Sequence, residues 1–166
     1  QLPGRSDMSY ENYKTAMKAA KNLRFYTTAG GRSEEAIRKS EEILGIRFSP
    51  QYREFNKDHA YLSFFGCEIF GADPENLEIA EGNSIACALI ERRDYGLPSY
   101  LLPIYNFNDG CMAYLDHTFL NDAGEPRVVM MEYTGTGYEL VEVLEEDFGD
   151  FVLSLVRETE SAPVQS

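Results

Sequence analysis

The sequence predicts a single α+β domain in which helices pack on one face of an antiparallel or mixed β-sheet. Its 166 residues, of which 43% are hydrophobic, suffice for one buried core. Helical periodicity occurs before residue 60 and after residue 146, and strand-like segments with hairpin turns lie between them. Helices followed by hairpin-linked strands and one closing helix are typical of α+β folds.

Three amphipathic helices are predicted in the first part of the chain. Apolar residues in the segment 10–23 recur at three- and four-residue steps, which indicates a first helix. Ser33 is a favourable N-cap and Gly45 a favourable C-terminal stop for a second helix. Ser49 followed by Pro50 is typical of the start of a third, short helix.

The middle of the chain predicts strands. The segment 61–71, YLSFFGCEIFG, suggests a strand that is bent or bulged at its central glycine. Turn-forming residues at 108–110 and 135–137 separate alternating segments and predict two β-hairpins. We expect Ser84 to cap a short helix that ends at a following Gly-x-Pro, and Asp147 to cap the closing helix.

The domain is expected to span residues 8–158. Residues 1–7 precede Met8 and are expected to be an expression remnant, and the polar residues 159–166 are expected to form a flexible tail. The sequence contains no apolar run long enough to cross a membrane and no secretory signal pattern, which favours a cytoplasmic protein.

The number and spacing of the cysteines also favour a cytoplasmic protein. They are three in number, and their spacing fits neither a disulfide framework nor a zinc ribbon. We therefore expect them to be reduced core residues of a cytosolic protein. They are Cys67, Cys87 and Cys111.

Charge is distributed unevenly along the chain, which has a net charge of −13. Residues 1–60 contain 11 basic and 8 acidic residues, whereas residues 61–166 contain 4 basic and 20 acidic ones. An acidic surface repels nucleic-acid phosphates and anionic lipid headgroups, but it attracts and steers a basic protein. We therefore expect no direct binding to nucleic acid or membranes.

No local motif predicts an active site, a cofactor or a metal ion. His59 and His117 have no nucleophile motif around them and are expected to be solvent-facing or turn residues. The oxygen-rich segments 73–78 and 121–125 lack the ligand spacing of a calcium loop. The chain is therefore predicted not to be an enzyme, although catalytic residues could still assemble in space.

From residue 61 onward, aromatic and acidic residues are mixed, as they commonly are at protein interfaces. The alternative is that the aromatic residues fill the core and the acidic residues only solvate the outside.

The segment 28–55, TAGGRSEEAIRKSEEILGIRFSPQYREF, resembles the opening signature of the SUKH superfamily of Smi/Knr-type domains. Segments 64–71, 101–116 and 145–156 are similar to that family's strand, central hairpin and closing helix. With its segments in this order, the chain also resembles the YobK-like bacterial antitoxins. Asn56 stands where the family usually has a leucine.

The resemblance implies an immunity protein, or antitoxin, that neutralises a cognate polymorphic toxin by covering its active site. A basic nuclease domain would suit the acidic half of the chain. The alternative is a Smi/Knr-type regulatory scaffold in cell-wall synthesis or signalling. We expect a monomer or weak homodimer, and a partner-binding surface formed by Tyr61, Phe65, Glu68, Asp73, Glu75, Glu78, Glu81 and Asp109.

Overall fold

A computed structural model describes residues 5–162, with side chains from Ser9 onward. Residues 1–4 and 163–166, parts of the expected remnant and tail, lie outside the described residues. In chain order the elements are α1 (Arg5–Ala20), β1 (Thr27–Thr28), α2 (Glu34–Leu44), α3 (Pro50–Asp58), β2 (Leu62–Phe64), β3 (Cys67–Ile69), α4 (Ser84–Tyr95), β4 (Leu101–Asn106), β5 (Cys111–Leu120), β6 (Pro126–Tyr133), β7 (Tyr138–Glu145) and α5 (Phe148–Ser161).

The strands form two sheets, with the order β1-β2-β3 in the smaller and β4-β5-β6-β7 in the larger. Each pairing between neighbouring strands is antiparallel, which confirms the α+β prediction. The two predicted hairpins are the β4–β5 and β6–β7 connections. The backbone amide of Phe70, just after β3, donates to the carbonyl of Ile104 in β4 at 2.9 Å and joins the two sheets.

The segment 61–71 is a tight hairpin, so the prediction of one bent strand is wrong. β2 and β3 pair antiparallel, with Leu62 opposite Ile69. Between them Phe65 and Gly66 have φ angles of +46° and +84°. Two consecutive residues with positive φ form the tight turn that reverses a twisted strand, whereas a bulge would have let the strand continue.

Helix ends follow local capping chemistry, with one shift. The boundaries predicted at Ser33, Gly45, Gly96 and Asp147 are confirmed. Asn83 rather than Ser84 caps α4, because the Asn83 side chain accepts the Ile85 amide. Ser84 is the first helical residue, and its hydroxyl donates to the carbonyl of Gly71. Ser49 occupies the N-cap position of α3, but its side chain makes no capping hydrogen bond.

The main core lies between the helices and one face of the larger sheet. Tyr52 and Phe55 of α3 pack on Phe148 of α5, with ring centroids 5.3 Å and 5.1 Å apart respectively. The Tyr52 hydroxyl is buried and donates to the carbonyl of Phe70 at 2.8 Å. The sheet contributes Leu102, Ile104, Ala113, Leu115 and Val128 to this core.

The opposite face of the larger sheet carries a second, smaller cluster. Tyr114 and Val129 are buried there, and Met131 and Tyr138 pack against them. Glu91 of α4 accepts a hydrogen bond from Tyr114, which places the C-terminal part of this helix beside the second face, whereas Ile85 and Ala88 of the same helix belong to the main core. The larger sheet is therefore covered in part on both faces.

Candidate partner-binding surface

The loop between β3 and α4, residues 72–82, carries four of the predicted acidic residues and is held by Asn83. The Asn83 amide group donates to the carbonyls of Asp73 and Asn76, at 3.0 Å each. Its oxygen accepts the backbone amides of Asp73 and Ile85. One buried side chain therefore fixes both the loop and the start of α4.

The start of the loop is anchored from α3. Asn56 is fully buried, and its side-chain oxygen accepts the backbone amide of Ala72 at 2.7 Å. Gly71 lies so close to Ala60 that an added Cβ would be 1.8 Å from the Ala60 carbonyl oxygen. Asn56 thus serves as a polar anchor for the start of the loop.

Two of the predicted acidic residues are paired with basic residues from the first part of the chain. The carboxylate of Asp73 lies 3.4 Å from the Arg32 guanidinium, and that of Glu75 lies 3.0 Å from the Lys39 ammonium. A partner's cation would have to compete with these existing pairs. Asp73 and Glu75 are therefore weaker candidates for recognition than their sequence neighbours.

Four other predicted acidic residues form no ion pair with another described residue. Glu78, Glu81 and Asp109 are exposed, whereas Glu68 is half-buried and accepts a 2.5 Å hydrogen bond from the Tyr61 hydroxyl. Burial and this bond raise the pKa of Tyr61 to about 12, so its hydroxyl remains a donor at neutral pH. Among the described residues, no basic side chain therefore pairs with the carboxylates of Glu68, Glu78, Glu81 and Asp109.

Three contiguous depressions cross this side of the molecule. The first, which we call the Tyr61 depression, has a volume of about 360 Å³ and contains Tyr61, Arg32 and Glu81. The second, the central depression, has a volume of about 310 Å³. It contains Glu68 and shares Glu81 with the first. The third, the tyrosine groove, has a volume of about 330 Å³ and shares Ala80, Cys87 and Met112 with the second.

The structure thus brings Tyr61, Glu68 and Glu81 together and places Asp109 beside them. Asp109 lies in the β4–β5 turn, where its carboxylate accepts the Cys111 amide, and its two sequence neighbours line the central depression and the tyrosine groove.

Phe65 occupies the turn of the β2–β3 hairpin and is exposed, as an interface residue should be. Its backbone amide donates to the carbonyl of Arg24, next to Phe25, which is 75% exposed. By contrast, Phe64 and Phe70 of the same segment are buried core residues. The interpretation that the aromatic residues fill the core therefore holds for Phe64 and Phe70, whereas the exposed Phe65 remains a candidate for partner binding.

Sequence reasoning missed the tyrosine groove. Its floor is Glu91, which is only 9% exposed, and its walls include Tyr95, Tyr133 and Tyr138. A signal was present, because Glu91 follows the apolar Ala88 by three residues and so lies on the same face of the helix. Tyr133 and Tyr138 face each other across the predicted β6–β7 hairpin, so their pairing follows from the sequence. Tyr95 is the last residue of α4, and it meets Tyr133 only because that helix packs against the sheet.

The histidines and cysteines do not form a reactive constellation. The His59 ring shares a hydrogen bond with the Thr28 hydroxyl, and the His117 ring contacts the Tyr100 carbonyl. Burial lowers the pKa of both rings. The three cysteines are unpaired, as predicted, but each is half-buried rather than in the core. Within residues 5–162, no three potential ligands of the His, Cys, Asp or Glu type are grouped to hold a metal ion.

Comparison with protein-family models identifies the family of this chain. Residues 11–156 match the model of a SUKH family described as SMI1-KNR4 cell-wall. The chain belongs to the SUKH superfamily. A search of curated proteins found no match to this SUKH chain.

Membership supports a Smi/Knr-type or immunity-protein scaffold, since SUKH domains are generally non-catalytic and act through protein–protein interaction. Among the helices that the structure describes in this SUKH domain, none has the length and apolar character needed to cross a bilayer.

Proposed function

We propose that this SUKH domain is an immunity protein that binds a basic toxin domain, such as a nuclease, and covers its active site. The observation that carries the proposal is the row of three depressions bordered by acidic residues without cationic partners. Among the described residues, no lysine or arginine is ion-paired with Glu68, Glu78, Glu81 or Asp109, so a positively charged partner can pair with these carboxylates directly. Arg32, which also lines the Tyr61 depression, is paired with Asp73.

The contact surface is proposed to centre on Glu68, Glu78, Glu81 and Asp109, with Tyr61 and the exposed Phe65 beside them. Aromatic anchors surrounded by charges are common in tight interfaces, because the rings supply buried area and the charges supply steering. Asp73 and Glu75 belong to the edge of this surface, where their pairing with Arg32 and Lys39 reduces their attraction for another cation.

The test requires the candidate toxin, which we expect to be encoded beside this protein as a larger chain with a C-terminal toxin domain. Glu78→Lys and Glu81→Lys should each weaken binding to that domain by about tenfold at low salt, mainly by slowing association. Added salt should weaken the unsubstituted complex and shrink the difference between variants. Surface plasmon resonance gives both rate constants.

Asp122→Lys is the matched control, because it makes the same charge change in the β5–β6 loop, at the end of the sheet opposite the β4–β5 turn. Equal weakening by Asp122→Lys would mean that only net charge matters. A salt-independent complex, or unchanged association rates for Glu78→Lys and Glu81→Lys, would contradict the proposed surface.

A second candidate is a regulatory scaffold in cell-wall synthesis or signalling, which the description of the matched family favours. In that case no toxin domain would be encoded nearby, and affinity capture should recover cell-wall or signalling proteins instead.

A further inference from the structure

We infer that the tyrosine groove is a socket for a basic side chain, arginine in preference to lysine, presented by the partner protein. This inference rests on the proposed function and adds to it a defined anchor point outside the acidic loop.

Glu91 is a buried carboxylate that has hydrogen bonds but no ion pair. Its Oε1 atom accepts the hydroxyls of Tyr114 at 2.6 Å and Tyr138 at 2.8 Å, and its Oε2 atom accepts the Cys87 thiol at 3.0 Å. Within the described part of the chain, no lysine, arginine or histidine lies within ion-pair distance of it; the next residue, Arg92, donates instead to the carbonyls of Leu44 and Ser99.

The three donors remain protonated at neutral pH. Burial and the neighbouring Glu91 raise the pKa values of Tyr114, Tyr138 and Cys87. They therefore supply hydrogen bonds without supplying positive charge. A buried carboxylate is costly unless its charge is also balanced, which leaves this site favourable for an incoming cation.

The walls of the groove are four tyrosine rings that pack on one another. The rings of Tyr95 and Tyr133 have centroids 4.9 Å apart, those of Tyr133 and Tyr138 are 5.4 Å apart, and those of Tyr138 and Tyr114 are 6.3 Å apart. A cation over a tyrosine face is attracted by the ring's electrons, and arginine also stacks on it.

Size and access favour a side chain over a larger ligand. The groove holds about 330 Å³, at the lower end of small-ligand sites. Met112 and Met131 line it and would contact the methylene stem of the side chain, because thioethers adapt to irregular apolar shapes. Tyr95 and Tyr133 are exposed at its mouth, so a partner protein can reach it.

The test uses a small probe and needs no toxin. Protein labelled with ¹³C at the methionine methyl groups is titrated with N-acetyl-arginine amide and observed by NMR. We expect the Met112 and Met131 signals to shift with saturation in the millimolar range, about 1–20 mM, while Met17 in the main core does not move. The neutral isostere N-acetyl-citrulline amide should bind at least about fivefold more weakly, because it lacks the charge that Glu91 attracts.

Two variants locate the effect. Glu91→Gln removes the charge and should weaken arginine binding at least about fivefold, and Tyr133→Leu should do the same by removing one wall. Asp122→Asn, which removes an exposed carboxylate at the far end of the sheet, should leave it unchanged. Tyr133 is at an exposed position, so its variant keeps the test valid if Glu91→Gln fails to fold.

Equal binding of the citrulline probe, or shifts that survive both Glu91→Gln and Tyr133→Leu, would overturn the inference, as would unmoved Met112 and Met131 signals. The outcomes separate the two proposals. If the protein neutralises a toxin but the arginine probe does not bind in the groove, only the socket is rejected. If the probe binds but no toxin partner exists, only the immunity role is rejected.

Discussion

Glu125 should make the domain less stable as the pH rises towards 7. It lies just before β6, is 1% exposed, and accepts the backbone amide of Gln51 at 2.9 Å through Oε1. Burial, together with the charge of nearby Asp147, raises the pKa of Glu125 from 4.5 to about 7, and the Gln51 hydrogen bond only partly opposes this. The folded state therefore holds this proton more tightly than the unfolded state does.

The sign and size follow from proton linkage. Below pH 4.5 the carboxyl group is protonated in both states and carries no penalty. As the pH rises from 4.5 to about 7, the unfolded state releases the proton first, so unfolding becomes easier. Above pH 7 the penalty is constant, and a shift of this size corresponds to about 3 kcal/mol of lost stability.

Glu125→Gln should remove this penalty while keeping an oxygen that accepts the Gln51 amide. The quantity to follow is the difference in the free energy of unfolding, variant minus unsubstituted protein. We expect this difference to rise by about 3 kcal/mol between pH 4 and pH 8. Urea unfolding followed by circular dichroism measures it, because urea leaves electrostatics unscreened. His59 and His117 titrate alike in both proteins, so the difference cancels them.

Glu142→Gln, at an exposed position of β7, is the matched control and should give a flat difference across the same range. A difference for Glu125→Gln that stays within about 0.5 kcal/mol from pH 4 to pH 8 would refute the reasoning, since it would mean that Glu125 ionises as easily in the folded state as in water.

Two further predictions concern the frame of the acidic loop. Gly71→Ala should destabilise the fold by about 3 kcal/mol or more, because its Cβ would be 1.8 Å from the Ala60 carbonyl oxygen; a change below about 1 kcal/mol in urea unfolding would show that the backbone yields. Asn83→Ala should cost about 2 kcal/mol and speed hydrogen exchange at Asp73 and Ile85, whose amides it accepts; unchanged protection there would contradict the anchoring role.

Local chemistry predicted much of the fold, because it acts within a few residues. Ser33 and Asp147 cap helices through amides only three residues away, so the sequence alone identifies both ends. The cap of α4 was predicted one residue late, since Asn83 and Ser84 are both good caps and the choice depends on Gly71, 13 residues away in sequence. The hairpin at Phe65 was missed, because phenylalanine seldom adopts positive φ.

The candidate site was predictable only in part. Composition indicated an acidic surface with aromatic residues, and Tyr61, Glu68 and Glu81 do lie together. Composition could not show that Asp73 and Glu75 are paired, because their partners Arg32 and Lys39 lie in residues 1–60, the more basic part of the chain. Pairing across such distances is decided by how the helices pack on the sheets.

Asn83 fixes the backbone of the acidic loop without using the side chains that the loop exposes to a partner. The bonds that fix the loop run from Asn83 to backbone groups of Asp73 and Asn76, and none uses the side chains of Glu78 or Glu81. Those two side chains can therefore be exchanged for basic, apolar or aromatic ones while the loop keeps its course. A lineage facing a changing partner could alter its specificity by single substitutions here, with little cost to folding.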